Sequence, residues 1–91
     1  MKALVLIKFI SLETRDAYLR LKSLASVIEL HLLYGRYDAA AMIQATNLEE
    51  IRQIILSEIQ RIPGVIETLP CIVQEDDALP ESNFAANHAF K

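Results

Sequence analysis

Tryptophan is absent from these 91 residues, cysteine occurs once, glycine twice and proline three times. The lone Cys71 excludes a disulfide framework, the paired-cysteine loop of a heavy-metal carrier and any knuckle spacing for a metal. Positive charge is also short. Nine Lys and Arg face twelve Asp and Glu, for a net charge of −3, and the basic residues form neither a cluster nor a tail. Direct nucleic-acid binding needs a positive stripe that displaces counterions, so this balance argues against it. No apolar run approaches the ~18–20 residues needed to span a bilayer. The N-terminal apolar stretch is broken at Lys8 and has no small-residue cleavage site. The expectation is a soluble protein of a reducing cytoplasm, with no membrane partner.

Apolar content, in contrast, is abundant at 53%. A domain of this size buries only roughly 60–65% of the surface its unfolded chain exposes. Much of the apolar surface must then stay outside one protomer, and large exposed apolar patches become interfaces. Self-association is expected.

The periodicities predict six elements. Residues 3–10 (ALVLIKFI) read as a buried strand. Ser11 and Thr14 offer capping hydroxyls for a helix over 13–24, with Ala17, Leu21 and Leu24 at helical spacing. A second strand over 27–34 runs into Gly35, which supplies the φ freedom of a tight reversal. Residues 38–46 form a third strand despite three alanines, which are poor strand formers. Asn47 followed by Glu50 marks the start of a helix over 48–61, and Pro63-Gly64 ends it. A fourth strand over 65–75 is interrupted at Pro70, which places it at a sheet edge or a bulge. Residues 77–91 form a polar tail after a folded domain of 1–76.

The order β-α-β-β-α-β is the split-βαβ pattern: an α+β, ferredoxin-like fold with a four-stranded antiparallel sheet and two helices on one face. Two helices cover one face only. The other strand faces are too apolar for water, so a second sheet should pack there, as in a two-fold dimer of the α/β-barrel type.

The run YGRYDAAAMIQA…NLEEIRQIILSEIQRIPGVIETLPCIVQED resembles the effector-binding domain of the Lrp/AsnC feast/famine regulators. Gly35, Tyr37, Asp38, Pro63, Gly64, Val65, Thr68, Ile72 and Val73 carry the likeness, in order and spacing, over about residues 2–76. Read from Met1, the chain resembles the stand-alone form of that module, without a helix-turn-helix. The resemblance implies sheet-paired dimers, commonly assembled as octamers of four dimers. It also implies an amino acid or related metabolite held between dimers near the Gly-x-Tyr-Asp turn, and hetero-assembly with full-length relatives. Two departures fall near the expected pocket: Tyr34 and Pro70 stand where the family usually has threonines. They point to a changed ligand or to none.

The turn suits an amino acid chemically. Asp38 can pair with an ammonium, and backbone N–H groups around Gly35 can receive a carboxylate. Tyr34 or Tyr37 can wall the pocket, and Thr68 can add a hydrogen bond. Equally, Gly35 and Asp38 can simply build a hairpin. His31 has no second ligand at metal spacing and reads as a packed or interface histidine. Cys71 lacks a basic neighbour and reads as a buried structural thiol. Glu49 and Glu50 favour a helix N-terminus, and Asp76-Asp77 is solvated strand-end charge. Ser11 has no base or oxyanion hole near it in sequence. Neither a catalytic residue, a metal site nor a cofactor is expected. Small ferredoxin-like monooxygenases or isomerases, with His31 and Asp38 as acid and base, are the enzymatic alternative. A purely structural oligomerisation partner is the other. The sheet lacks the interleaved aromatics of RNA-binding domains of this topology. A tail of this composition is more often a mobile end than an arm, although Phe84 and Phe90 could dock on a neighbouring subunit.

Overall fold

Odd-numbered residues decide the architecture, because in the first strand they all point one way. The structure, a computed structural model, describes residues 1–74. The expected tail with Phe84, His88 and Phe90, and the pair Asp76-Asp77, lie outside the described residues. Strand β1 (Lys2–Phe9) is followed by α1 (Thr14–Ser23), β2 (Val27–Leu32), β3 (Ala39–Gln44), α2 (Leu48–Ile54) and β4 (Val65–Ile72). The strands pair antiparallel throughout, in the order β2-β3-β1-β4. The fold is the expected ferredoxin-like βαββαβ arrangement.

Ala3, Val5, Ile7 and Phe9 of β1 are buried, and they join one core with Ala17 and Leu21 of α1 and with Ile51, Ile54, Ile55 and Ile59. Both helices therefore cover the same sheet face. Each large aliphatic side chain buried there contributes about 1.5–3 kcal/mol relative to exposure. Two of the three alanines of β3 find their reason here. Ala39 and Ala41 lie opposite Ile7 and Val5 on the covered face and are fully buried. On a central strand beneath two helices, tertiary packing overrides their weak strand propensity.

The helix boundaries differ in part from expectation. Ser11 and Thr14 do not cap α1. Residues Ser11–Glu13 form a 3₁₀ turn, and Thr14 Oγ1 donates to the Ser11 carbonyl at 3.2 Å. The start of α2 is as expected: Asn47 Oδ1 accepts from the Glu50 N–H at 2.9 Å, and Glu50 Oε1 accepts from the Thr46 N–H at 3.0 Å. This reciprocal pairing satisfies two otherwise orphaned donors. The far end of that helix widens over Ile55–Ile59, where Gln60 N–H reaches back five residues to the Ile55 carbonyl at 2.8 Å. Gly64 then stops the chain with φ +97°, and a Cβ there would lie 2.8 Å from Glu13 Cβ. Position 64 must be glycine on both counts.

Strand β2 ends at Leu32 rather than at residue 34, because Leu33 N–H already closes the turn onto the Asp38 carbonyl at 2.9 Å. Strand β4 is not interrupted at Pro70, although it does form a sheet edge as expected. Val73 N–H donates to the Lys2 carbonyl, so alternate residues Cys71, Leu69 and Glu67 bond to β1. Ile72, Pro70 and Thr68 then direct their backbone nitrogens away from the sheet. Proline sits where no ladder hydrogen bond is lost. The irregularity lies instead at Ile66 of β4, the residue skipped where Lys8 pairs with Glu67 and Phe9 with Val65.

The N-terminal cap of α2 is a direct test of this account. Asn47→Ala should lower the unfolding free energy by about 1 kcal/mol, read as a shifted urea midpoint with an unchanged slope.

Candidate functional site

The turn between β2 and β3 is clamped onto the end of β1. Asp38 N–H donates to the Ile7 carbonyl at 2.8 Å. Its carboxylate Oδ2 accepts from the Phe9 N–H, also at 2.8 Å. Lys8 Nζ donates to the Arg36 carbonyl at 3.1 Å. Tyr37 crosses to the far edge strand, where its hydroxyl donates to Glu67 Oε2 at 2.9 Å. Gly35 adopts φ +132° and has open space around it, so the constraint there is backbone conformation alone. Asp38 thus builds the hairpin, as one of the two sequence readings held. Its Oδ1 receives no protein hydrogen bond among the described residues.

Glu67 holds the phenol of Tyr37 in its protonated form. The hydrogen bond to that carboxylate is the largest cause, with partial desolvation and repulsion from the same charge adding to it. Together they raise the tyrosine above its ordinary pKa of 10.0.

The five candidate residues do not converge within one protomer. Tyr34 is fully exposed. Asp38 and Tyr34 line a cavity of about 240 Å³ with Thr14, Leu32 and Leu33. Thr68 lies elsewhere, on the helix-covered face, where its Oγ1 accepts from Gln60 Nε2 at 3.0 Å. It lines a groove of about 520 Å³ between α2 and β4, beside Ile55, Leu56, Arg52 and Pro70. His31 and Asp38 are separated too. His31 Nε2 lies 3.4 Å from Glu29 Oε1 on exposed strand β2, and it is absent from the cavity that Asp38 lines. Sequence reasoning missed Glu67, Gln60 and the Phe9 N–H as partners. Only Glu67 left a trace, as the acid opposite Lys8 in the β1–β4 register.

The even residues of β1 define a second surface. Leu4 and Leu6 lie opposite Met42 and Ala40 on one side and Cys71 and Leu69 on the other. No helix covers them. Cys71, expected buried, is exposed in the protomer for this reason, and His31, expected as a packed or interface histidine, is exposed on the same face. Among the described residues there is no group of three or more potential metal ligands. No helix there is long and apolar enough to cross a membrane.

The fold is a ferredoxin-like domain with an apolar open sheet face and a clamped Gly-x-Tyr-Asp turn. Residues 2–76 match the Lrp/AsnC ligand binding domain. The chain belongs to the Lrp/AsnC family, whose regulators act in transcription. It is 30% identical over 61 residues to an uncharacterized HTH-type transcriptional regulator of Pyrococcus horikoshii, a match covering 67% of this chain and 41% of that protein. The chain therefore spans less than half the length of that relative. Among solved structures it resembles FFRP-DM1 with a TM-score of 0.76 and 23% identity, over 80% of this chain and 97% of the other. A transcriptional regulator of Neisseria meningitidis, solved as an L-Met complex, aligns with a TM-score of 0.75 and 15% identity, over 91% of this chain and 58% of that one.

The clamp separates two variants of one residue. Asp38→Ala strands the Phe9 N–H and should cost about 1.5–3 kcal/mol, whereas Asp38→Asn retains an acceptor oxygen and should cost clearly less by urea unfolding. The Tyr37 contact has a pH signature. A group whose folded pKa is raised adds stability below its unfolded pKa and loses it as pH climbs through the raised value. Ultraviolet titration should show one tyrosine ionising late, returning to the ordinary range in Glu67→Ala.

Proposed function

We propose that this domain is a non-catalytic, cytoplasmic regulatory module. In this reading it pairs through its open sheet face, assembles further, and binds an amino acid or related metabolite between dimers beside Gly35–Asp38. Transcription is then modulated indirectly, through hetero-assembly with full-length relatives that carry a DNA-binding domain. The single observation that carries the reading is the uncovered apolar face of Leu4, Leu6, Met42, Leu69 and Cys71, rimmed by polar Lys8, Glu29, His31 and Glu67. An apolar surface of that extent is stable in water when a second copy covers it.

The dispersal of the candidate residues fits a site completed by assembly. Tyr34, Tyr37 and Asp38 sit at one end of the sheet, and Thr68 sits under α2. A pocket joining them needs surfaces from more than one protomer. The free Oδ1 of Asp38 is the group that would meet an ammonium, while Oδ2 stays on Phe9. An effector acts only through differential affinity for two assembly states. An enzymatic role for His31 and Asp38 has no geometric support, since no substrate pocket lined by both is present among the described cavities.

Two measurements test this. A thermal-shift screen against the twenty amino acids, L-Met included, should show one chemical class raising the melting temperature. A ligand at a hundredfold its Kd adds about 2.7 kcal/mol, which at roughly 4–8 °C per kcal/mol in a domain of this size is a shift on the order of 10–20 °C. Asp38→Asn should abolish the shift. A screen without any response, in protein that still assembles, leaves the purely structural partner as the function. For the face itself, Cys71 should react slowly with a thiol reagent in the native assembly. Leu6→Asp should expose it and reduce the mass found by sedimentation equilibrium.

A further inference from the structure

Pairing through the open sheet face does not reach every apolar surface. The groove between α2 and β4, about 520 Å³, lies on the helix-covered side of the molecule. Ile51 and Ile55 form its floor and are almost fully buried. Leu48, Leu56 and Ile72 line it as well, and each stays about half exposed. Arg52 stands at the rim, two-thirds exposed, with its guanidinium 3.8 Å from Glu49 Oε2. A surface pair of that length holds the cation loosely.

Two features of β4 say what can cover the groove. Thr68, Pro70 and Ile72 turn their backbone nitrogens away from the sheet, and Pro70 has no N–H to offer. An added strand would lose its ladder there, so an occupant has to be held by its side chains. Ile72 is also the last residue of the strand. The chain therefore leaves β4 at the mouth of the groove.

We propose that residues 75–91 of the same chain fold back into this groove, with Phe84 seated between Leu48, Leu56 and Ile72. Reach permits it. The groove runs about 13 Å along β4 from Ile72 to Thr68, and the segment from Gln74 to Phe84 spans up to roughly 33 Å when extended. Phe84 is the first aromatic residue after the strand, and a seated ring takes roughly 150–250 Å² out of water. Charge agrees with the seat. The net −3 of the chain resides in residues 75–91, where Glu75, Asp76, Asp77 and Glu81 stand against Lys91, while the charges of residues 1–74 balance. Glu81, three residues before Phe84, brings a carboxylate to the rim where Arg52 stands. Glu49 competes for that guanidinium, and the three acids nearest the strand stay in water.

The seat goes beyond the assembly reading and does not need it, because the groove and the open sheet face lie on opposite sides of the sheet. Thr68 lines the same groove, so an effector that uses its hydroxyl has to displace the tail.

The test is a spin label on the full chain, without added ligand. With Cys71→Ser and Asn83→Cys, a nitroxide at position 83 should broaden the methyl signals of Leu48, Leu56 and Ile72. Adding Phe84→Ser or Leu56→Gln should sharpen the signals of Leu48 and Ile72 again. The methyl shifts of Val5 and Ile7 should not move in either variant, which shows the core intact. Refolding the nitroxide chain with an excess of isotopically labelled chain reads the neighbour's tail. There the groove signals should stay sharp, because each tail fills its own groove. Sharp signals in the spin-labelled chain itself, broadening that survives Phe84→Ser, or broadening in the mixed sample overturns the proposal; the last outcome gives the groove to the tail of a second copy.

Discussion

Two helices on a four-stranded sheet can cover one face and no more. Everything else in this chain follows from how that limit is met. Alternation along β1 sends Ala3, Val5, Ile7 and Phe9 under the helices and Leu4 and Leu6 to the open side. Those leucines are as apolar as the buried set, and the sheet is therefore apolar on both faces. A monomer of such composition keeps an unsatisfied hydrophobic surface. Its natural remedy is a second layer supplied by another copy.

Against that background the Gly35–Asp38 turn has two duties that do not compete. One carboxylate oxygen of Asp38 fixes the hairpin to Phe9, and the backbone of the same residue extends the ladder to Ile7. The other oxygen remains open to whatever approaches from outside the protomer. A residue type chosen for a turn thereby places a negative charge at a fixed point on the rim of the sheet. Tyr37 and Glu67 hold the same corner from the opposite edge strand, so the turn is tied to all four strands rather than hanging from two. Rigid placement of this kind is what a shared pocket between protomers requires.

Much of the fold was legible in the sequence because it rests on short-range signals. The Asn47–Glu50 cap, the Pro63-Gly64 stop and the strand runs all declare themselves within a few residues. Pro70 correctly marked an edge, yet its strand runs through it unbroken, since the parity of hydrogen bonding is a property of the pair and not of the residue. The same parity explains Cys71: whether a thiol is buried depends on which face its register assigns. The clamp was illegible for a different reason. Asp38 and Phe9 are far apart in sequence, and a backbone N–H has no residue identity to betray it. Likewise, nothing in ILSEIQ distinguishes an ordinary helical turn from the widened one that brings Gln60 to Thr68.

Pro70 also sets a limit on growth. Strand addition propagates when every new layer offers a fresh edge, which is how sheets lengthen into fibrils. Here the missing N–H at Pro70 leaves β4 a poor template, and β2 is the single competent edge on each sheet. A unit with one reactive end can couple once and then has nothing left to offer. In polymer terms, blunting one edge leaves each sheet at most one backbone ladder to share, which disfavours growth into an endless ribbon.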